Sequence, residues 1–212
     1  MNYTKEHKMQ LVRAYWNETD DEQLNKELDS LLVSCKTKSE KLSIIAELCK
    51  PAETNEELYF ISKAYVWAGA DYRSEAIEYL KKYIAAGAIC DETPEGIREM
   101  NGISYDLKSM SVASVYTDLG NCFANEYEFD KAIECYQEAY SLVPYISSNA
   151  VKISEMYVKK NELVRALDYL ETIKSSIYYK LEIYSSVIDK CITDVQKKIE
   201  KGYVYKPRKK KI

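Results

Sequence analysis

The sequence predicts an all-α fold: an α-solenoid of antiparallel helix pairs, with N-terminal helices before the array and a C-terminal capping helix after it. Three observations carry this expectation. Residues 113–144, ASVYTDLGNCFANEYEFDKAIECYQEAYSLVP, read as two amphipathic helices joined by a tight turn. The same spacing of small and aromatic residues returns at 147–180 and, less fully, at 55–88. Only six Gly and four Pro stand in 212 residues rich in Ala, Leu, Glu and Lys, too few for a turn-rich β protein. Apolar residues make up 46% of the chain, enough for a sizeable core, and its 20 Tyr suit half-buried places between helices.

The elements follow in order. Thr4 to Trp16 predicts a short helix, with Met9, Leu11, Val12, Ala14, Tyr15 and Trp16 apolar. Asn17 to Asp20 breaks it and offers a cap for the next helix. Asp21 to Cys35 places Leu24, Leu28, Leu31 and Leu32 at helical spacing, with Asp21 and Glu22 in the first turn, where the helix dipole favours acids. Ser39 to Cys49 carries Leu42, Ile45 and Leu48 on one stripe, and Pro51 closes it. Residues 1–54 therefore form helices that pack on the array and cover its open end. In 55–88, Leu58, Ile61, Ser62 and Tyr65 share one helix and Ala76, Leu80 and Tyr83 the next, around a turn at Gly69–Tyr72. Residues 89–112 interrupt the array as a surface insertion: a turn over Asp91–Gly96, then a brief helix to Met100 ended by Asn101-Gly102. Residues 113–146 and 147–180 are successive repeats. Residues 181–201 form the capping helix, with Ile183, Val187, Ile188, Cys191, Ile192 and Val195 expected to face inward. The tail, 202–212, is basic and expected to be disordered.

In the middle repeat the spaced residues are Tyr116, Leu119-Gly120 and Phe123 in the first helix, and Ala132, Tyr136, Ala139 and Pro144 in the second. The 147–180 copy has Ala150, Ile153-Ser154, Tyr157, Ala166, Leu170 and Ile173, with Tyr178 in place of the closing proline. This pattern resembles the tetratricopeptide (TPR) repeat, whose signature is W-x2-L-G-x2-Y, then A-x3-F and a later P. The resemblance covers roughly half the chain. Gly120 and Ala132 are expected where the paired helices come closest, so that the axes approach to ~8–10 Å. Pro144 cannot continue its helix and turns the chain into the next repeat.

The resemblance implies a scaffold that binds a protein or peptide segment in the concave groove lined by the first helix of each pair. It nominates Tyr59, Lys63, Val66 and Trp67 from the first copy. Thr117, Asn121, Ala124 and Asn125 come from the second, and Val151, Lys152, Glu155, Val158 and Lys159 from the third. Asn121, Asn125 and Lys152 share the uninterrupted part of the array. Trp67 and Tyr59 are either interface anchors or contacts of the N-terminal helices or the insertion. A carboxylate clamp of the kind that holds a chaperone's acidic C-terminus is not expected. The corresponding residues are Tyr59 with Lys63, then Asp118, then Ser148 with Lys152, and Asp118 would repel a carboxylate.

Charge and chemistry narrow the function further. Six of the 30 basic residues (Lys201, Lys206, Arg208, Lys209, Lys210 and Lys211) fall in the last twelve positions. The body is left with 24 basic against 34 acidic residues, or −10. So acidic a body argues against a general nucleic-acid surface. An alternative function is a regulator whose basic tail contacts nucleic acid while the repeats sense a protein or peptide partner. With His7 the only histidine and no G-x-S-x-G, Walker A, G-x-G-x-x-G or H-E-x-x-H motif, neither an enzyme nor a cofactor is expected. The six cysteines form no C-x-x-C pair and no metal site, and read as buried free thiols in a reducing compartment. No signal-peptide core and no bilayer-length apolar run are present, so the cytoplasm is expected.

Overall fold

The structure is a computed structural model that describes residues 3–17, 20–91, 93–100 and 103–207. Residues 1–94 and 95–212 form two compact units.

The first unit holds α1 (Lys5–Asn17), α2 (Glu22–Leu32), α3 (Lys38–Leu48), α4 (Asn55–Ala68) and α5 (Arg73–Ala85). Asp21 is the N-cap of α2 rather than a first-turn residue; its carboxylate accepts from the Gln23 and Leu24 amides. Glu18 and Thr19, expected in the preceding break, lie outside the described residues. Two T-x-x-E capping boxes, Thr37 with Glu40 and Thr54 with Glu57, start α3 and α4. Leu11, Val12, Leu42, Ile45, Phe60, Ile61, Ala64, Ala76, Leu80 and Tyr83 are essentially buried and make the core. Polar ties fix α1. His7 Nε2 lies 2.7 Å from Glu27 Oε2 of α2, so this histidine is held by a neighbouring helix. Arg13 forms a fork onto Glu56 of α4, with two bonds of 2.7 Å. A 3-10 turn, Ala70–Tyr72, joins α4 to α5, and Gly69 at φ +97° starts it.

The second unit begins with a hairpin that the sequence reading missed. Strands β1 (Ile97–Met100) and β2 (Ile103–Asp106) pair antiparallel, with Ile97 opposite Asp106 and Met100 opposite Ile103. The stretch expected to be a brief helix up to Met100 is β1. Asn101 and Gly102, expected to end that helix, lie outside the described residues. The physical reason is local: Ile97, Ile103 and Tyr105 favour strands, and the two segments are close enough in sequence to pair with each other. Asp106 then caps α6, its carboxylate accepting from the Ser109 amide at 2.8 Å and hydroxyl at 2.7 Å. Helix α6 therefore starts at Leu107, ahead of the expected boundary at Ala113.

Then come α6 (Leu107–Asn125), α7 (Phe129–Leu142), α8 (Ser147–Lys159), α9 (Leu163–Ile173), a 3-10 turn at Ile177–Lys180, and α10 (Glu182–Glu200). Helix pairs α6–α7 and α8–α9 repeat with a period visible in the backbone. Tyr127 and Asn161, one repeat length of 34 residues apart, both sit at φ +63° in the turn inside their pair. The following amides close each turn alike: Glu128 donates to Phe123 and Glu162 to Tyr157. Leu119, Gly120, Phe123, Ala132, Tyr136, Ala139, Ala150, Ile153, Ser154, Tyr157, Ala166, Leu170 and Ile173 are all buried.

Helix α10 buries Tyr184, Ile188, Ile192 and Val195. Ile183 and Val187, expected to face inward, are exposed at 70% and 37%. Val187 stands one repeat length after Ile153, a position that the fold of α8 and α9 covers, and no described helix pair follows α10 to cover it. Ile183 lies instead at a pocket of about 460 Å³ beside Ile103, Tyr105, Met110 and Tyr145. Of the six cysteines, Cys49, Cys122 and Cys135 are buried, whereas Cys35, Cys90 and Cys191 are only partly so.

Candidate functional site

In the second unit the expected groove residues fall on α6 and α8, and polar contacts join the two helices. Thr117 Oγ1 lies 2.8 Å from the Ala113 carbonyl and 3.0 Å from Asn149 Oδ1, and its one proton serves either. Asn121 is more heavily engaged. Its Oδ1 accepts from Tyr136 OH at 3.0 Å and from Lys152 Nζ at 2.9 Å. Its side chain also hydrogen-bonds Asp118. Burial pushes the Asp118 carboxyl above its usual range, while Lys152 and Asn121 oppose the shift. Asn121 and Lys152 therefore serve one another and the floor of the unit. Asn125 is exposed at the end of α6.

Farther along, Val151, Glu155, Val158 and Lys159 of α8 face Cys191, Asp194, Val195 and Lys198 of α10 across a groove of about 350 Å³. Val158 and Val195 are buried beneath it, and Glu155, Asp194 and the partly exposed Lys159 and Lys198 carry charge at its edges. Such a surface, apolar below and mixed in charge above, suits a peptide more than a reacting substrate. Among the described residues no group of three metal-ligating side chains comes together.

Sequence reasoning missed Asp194, Lys198, Tyr203 and Tyr205 in this groove. The last two come from the tail expected to be disordered. Gly202, at φ +59°, turns the chain at the end of α10, and the Tyr203 amide donates to the Lys198 carbonyl. The Tyr205 amide donates to Asn161 Oδ1 at 2.6 Å, and its ring stands edge-on to Phe129 with centroids 6.1 Å apart. The repeat length carried forward from α8 was the available signal, because it makes α10 the next groove-lining helix. The tail's fold-back left no mark in composition. Arg208, Lys209, Lys210 and Lys211 lie outside the described residues.

Ala124 lies on α6, and Tyr59, Lys63, Val66 and Trp67 belong to the first unit. Tyr59 is half-buried, its ring 5.1 Å from Phe60 and 5.9 Å from Tyr83. Lys63 Nζ stands 4.3 Å from the Trp16 ring centroid and donates to Tyr59 OH. Trp67 meets Trp16 edge-on at 6.2 Å, with Lys38 Nζ 4.6 Å over its ring, and is still 57% exposed. Contact with an N-terminal helix and exposure thus coexist at Trp67.

The pair α6–α7 is closed around Gly120. A side chain at residue 120 would place its Cβ 2.5 Å from Cε1 of Tyr136, so only Gly fits between α6 and the Tyr136 ring. The chain is also 40% identical, over 53 residues, to the mouse (Mus musculus) "Tetratricopeptide repeat protein 21A". The helix pairs have a TPR-like arrangement. That match takes in 25% of this chain and 4% of the mouse protein, so the chain spans a small part of that relative's length. No protein-family model matches the chain. Among solved structures, MamA is similar, with a TM-score of 0.46 and 20% identity over 77% of this chain and 91% of that one. A Podosopora anserina putative kinesin light chain with nearly identical TPR-like repeats gives a TM-score of 0.44 and 13% identity, covering 94% and 99%. Among the described residues, no helix of this chain is long and apolar enough to cross a membrane.

Proposed function

We propose that this TPR protein is an interaction scaffold that takes a peptide or protein segment along α6, α8 and α10, with no chemistry of its own. The observation that supports this most is the groove between α8 and α10, with Val158 and Val195 below and Glu155, Lys159, Asp194 and Lys198 around it. Apolar floors supply binding energy, and charged rims select register and partner. Val151, Glu155 and Lys159 are the contact residues we assign here, with Asn125 at the α6 end. Thr117, Asn121 and Lys152 set the floor. In the first unit Tyr59, Lys63 and Trp67 offer a second contact surface, with Trp67 as its anchor.

The test is affinity capture by the full chain from native lysate, read by mass spectrometry, alongside Glu155→Ala/Lys159→Ala and Trp67→Ala variants. These side chains are exposed or partly so, and the variants should melt like the parent. A captured protein lost from the first variant identifies the groove partner. Identical capture by parent and both variants would sink the assignment.

A further inference from the structure

A segment of the same chain forms part of the wall of the groove between α8 and α10. After Gly202 turns the backbone, Tyr203 and Tyr205 both line the groove. Three interactions seat the segment. Lys198 Nζ stands 5.9 Å from the Tyr203 ring centroid. The Tyr205 ring meets Phe129 edge-on. Asn161 grips the Tyr205 backbone from both sides, its Oδ1 accepting from the amide at 2.6 Å and its Nδ2 donating to the carbonyl at 3.5 Å. Asn161 is suited to this because its turn needs φ +63°, which Asn tolerates better than most residues, and its short amide then projects from the end of α8.

A two-sided bond to a main-chain amide and carbonyl reads extended backbone, whatever side chain it carries. The side-chain selection comes from the alternate positions 203 and 205, both Tyr. In an extended segment such positions point the same way. We propose that the surface on which Tyr203–Lys206 lies, at the wall of this groove, recognises an extended segment with aromatic residues at alternate positions, and that a partner binds by displacing this resident segment. This rests on the groove being the interaction site proposed above. A tethered segment competes at an effective concentration in the millimolar range, so a partner of equal intrinsic affinity must exceed that concentration, and a tighter one needs proportionately less.

The probe is a fluorescein-labelled hexapeptide, Gly-Tyr-Val-Tyr-Lys-Pro, titrated into the full chain and read by anisotropy. The comparison is with a full-length Tyr203→Ala/Tyr205→Ala variant and with the same variant carrying Asn161→Gly. Gly adopts the turn's positive φ freely, so this last change removes the amide while leaving the turn intact. Melting curves check that all three are folded. The expected result is that the double variant binds the probe roughly tenfold or more tightly than the parent, and that Asn161→Gly removes most of the gain. Equal binding by parent and double variant, no binding by either, or no effect of Asn161→Gly would each overturn the proposal. If the probe fails while capture still depends on Glu155 and Lys159, the scaffold reading stands and only the tail's role falls. If the probe behaves as expected while capture is indifferent to those residues, the tail's role stands and the scaffold assignment falls.

Discussion

The Tyr136 ring occupies the space in which any side chain at Gly120 would lie: a Cβ there would sit 2.5 Å from Cε1 and 2.8 Å from Cδ1. Tyr136 has nowhere to retreat. It is 1% exposed, and its hydroxyl is bonded to Asn121. The glycine of the repeat signature is therefore a slot for an aromatic ring of the partner helix.

Gly120→Ala should destabilise the protein by about 1–3 kcal/mol through overpacking, less whatever Ala adds in helix propensity. Chemical denaturation checks this. A double-mutant cycle with Tyr136→Leu should show that the smaller residue absorbs much of the cost, because the two changes act on one space.

Asn121→Ala should lower stability by about 1–2 kcal/mol, since it leaves Tyr136 OH and Lys152 without their shared acceptor. Tyr136→Phe should cost about 1 kcal/mol and leave Lys152 bonded. A loss of partner capture in the Asn121 variant must be read against its melting curve. The Glu155 and Lys159 variants report binding more cleanly.

Glu57 sets a pH dependence in the first unit. Burial alone would raise its pKa, but the Glu53 amide, Lys5 and the Thr54 amide more than offset this and hold it below the usual carboxylate range. A carboxyl with a lowered folded pKa adds stability above its unfolded pKa of roughly 4.3, and that stability is lost as pH falls through the folded value. Stability of the parent should thus drop more steeply than that of Glu57→Gln as pH is lowered from about 5 to 3. At neutral pH Glu57→Ala should cost about 1–2 kcal/mol, because the part-buried Glu53 and Thr54 amides lose their acceptor. Denaturant midpoints across that range measure both.

On α10 the two faces should respond oppositely. Ile188→Ala, at a fully buried site, should cost about 2–5 kcal/mol. Ile183→Ala, 70% exposed, should stay within about 0.5 kcal/mol of the parent. Thermal melts of the two variants decide whether Ile183 belongs to the core.

The repeats were legible because their signature residues report local geometry. Gly120, Ala132, Ala139, Ala150 and Ala166 are small where helices touch, and Phe123, Tyr136 and Tyr157 are aromatic where they leave gaps. Spacing along one helix determines which residues share a face, so the sequence by itself determined the helix pairs and their buried faces. The candidate groove was only half legible. Val151, Glu155 and Lys159 follow from helical spacing on α8; the repeat length carried forward marks α10 as the next groove-lining helix, but which of its side chains, Asp194 and Lys198 among them, meet α8 depends on how the two helices pack. Composition suggested helix or disorder for 94–100 and 202–207, where pairing decides the outcome instead: Ile97–Met100 finds β2, and Tyr205 finds Asn161 and Phe129. Tertiary structure alone decided which amphipathic residues are covered. Ile183 and Ile188 are alike in chemistry and lie on one helix, yet one is exposed and the other buried. The burial of an apolar side chain depends on whether another element lies against it, and only the folded chain determines that.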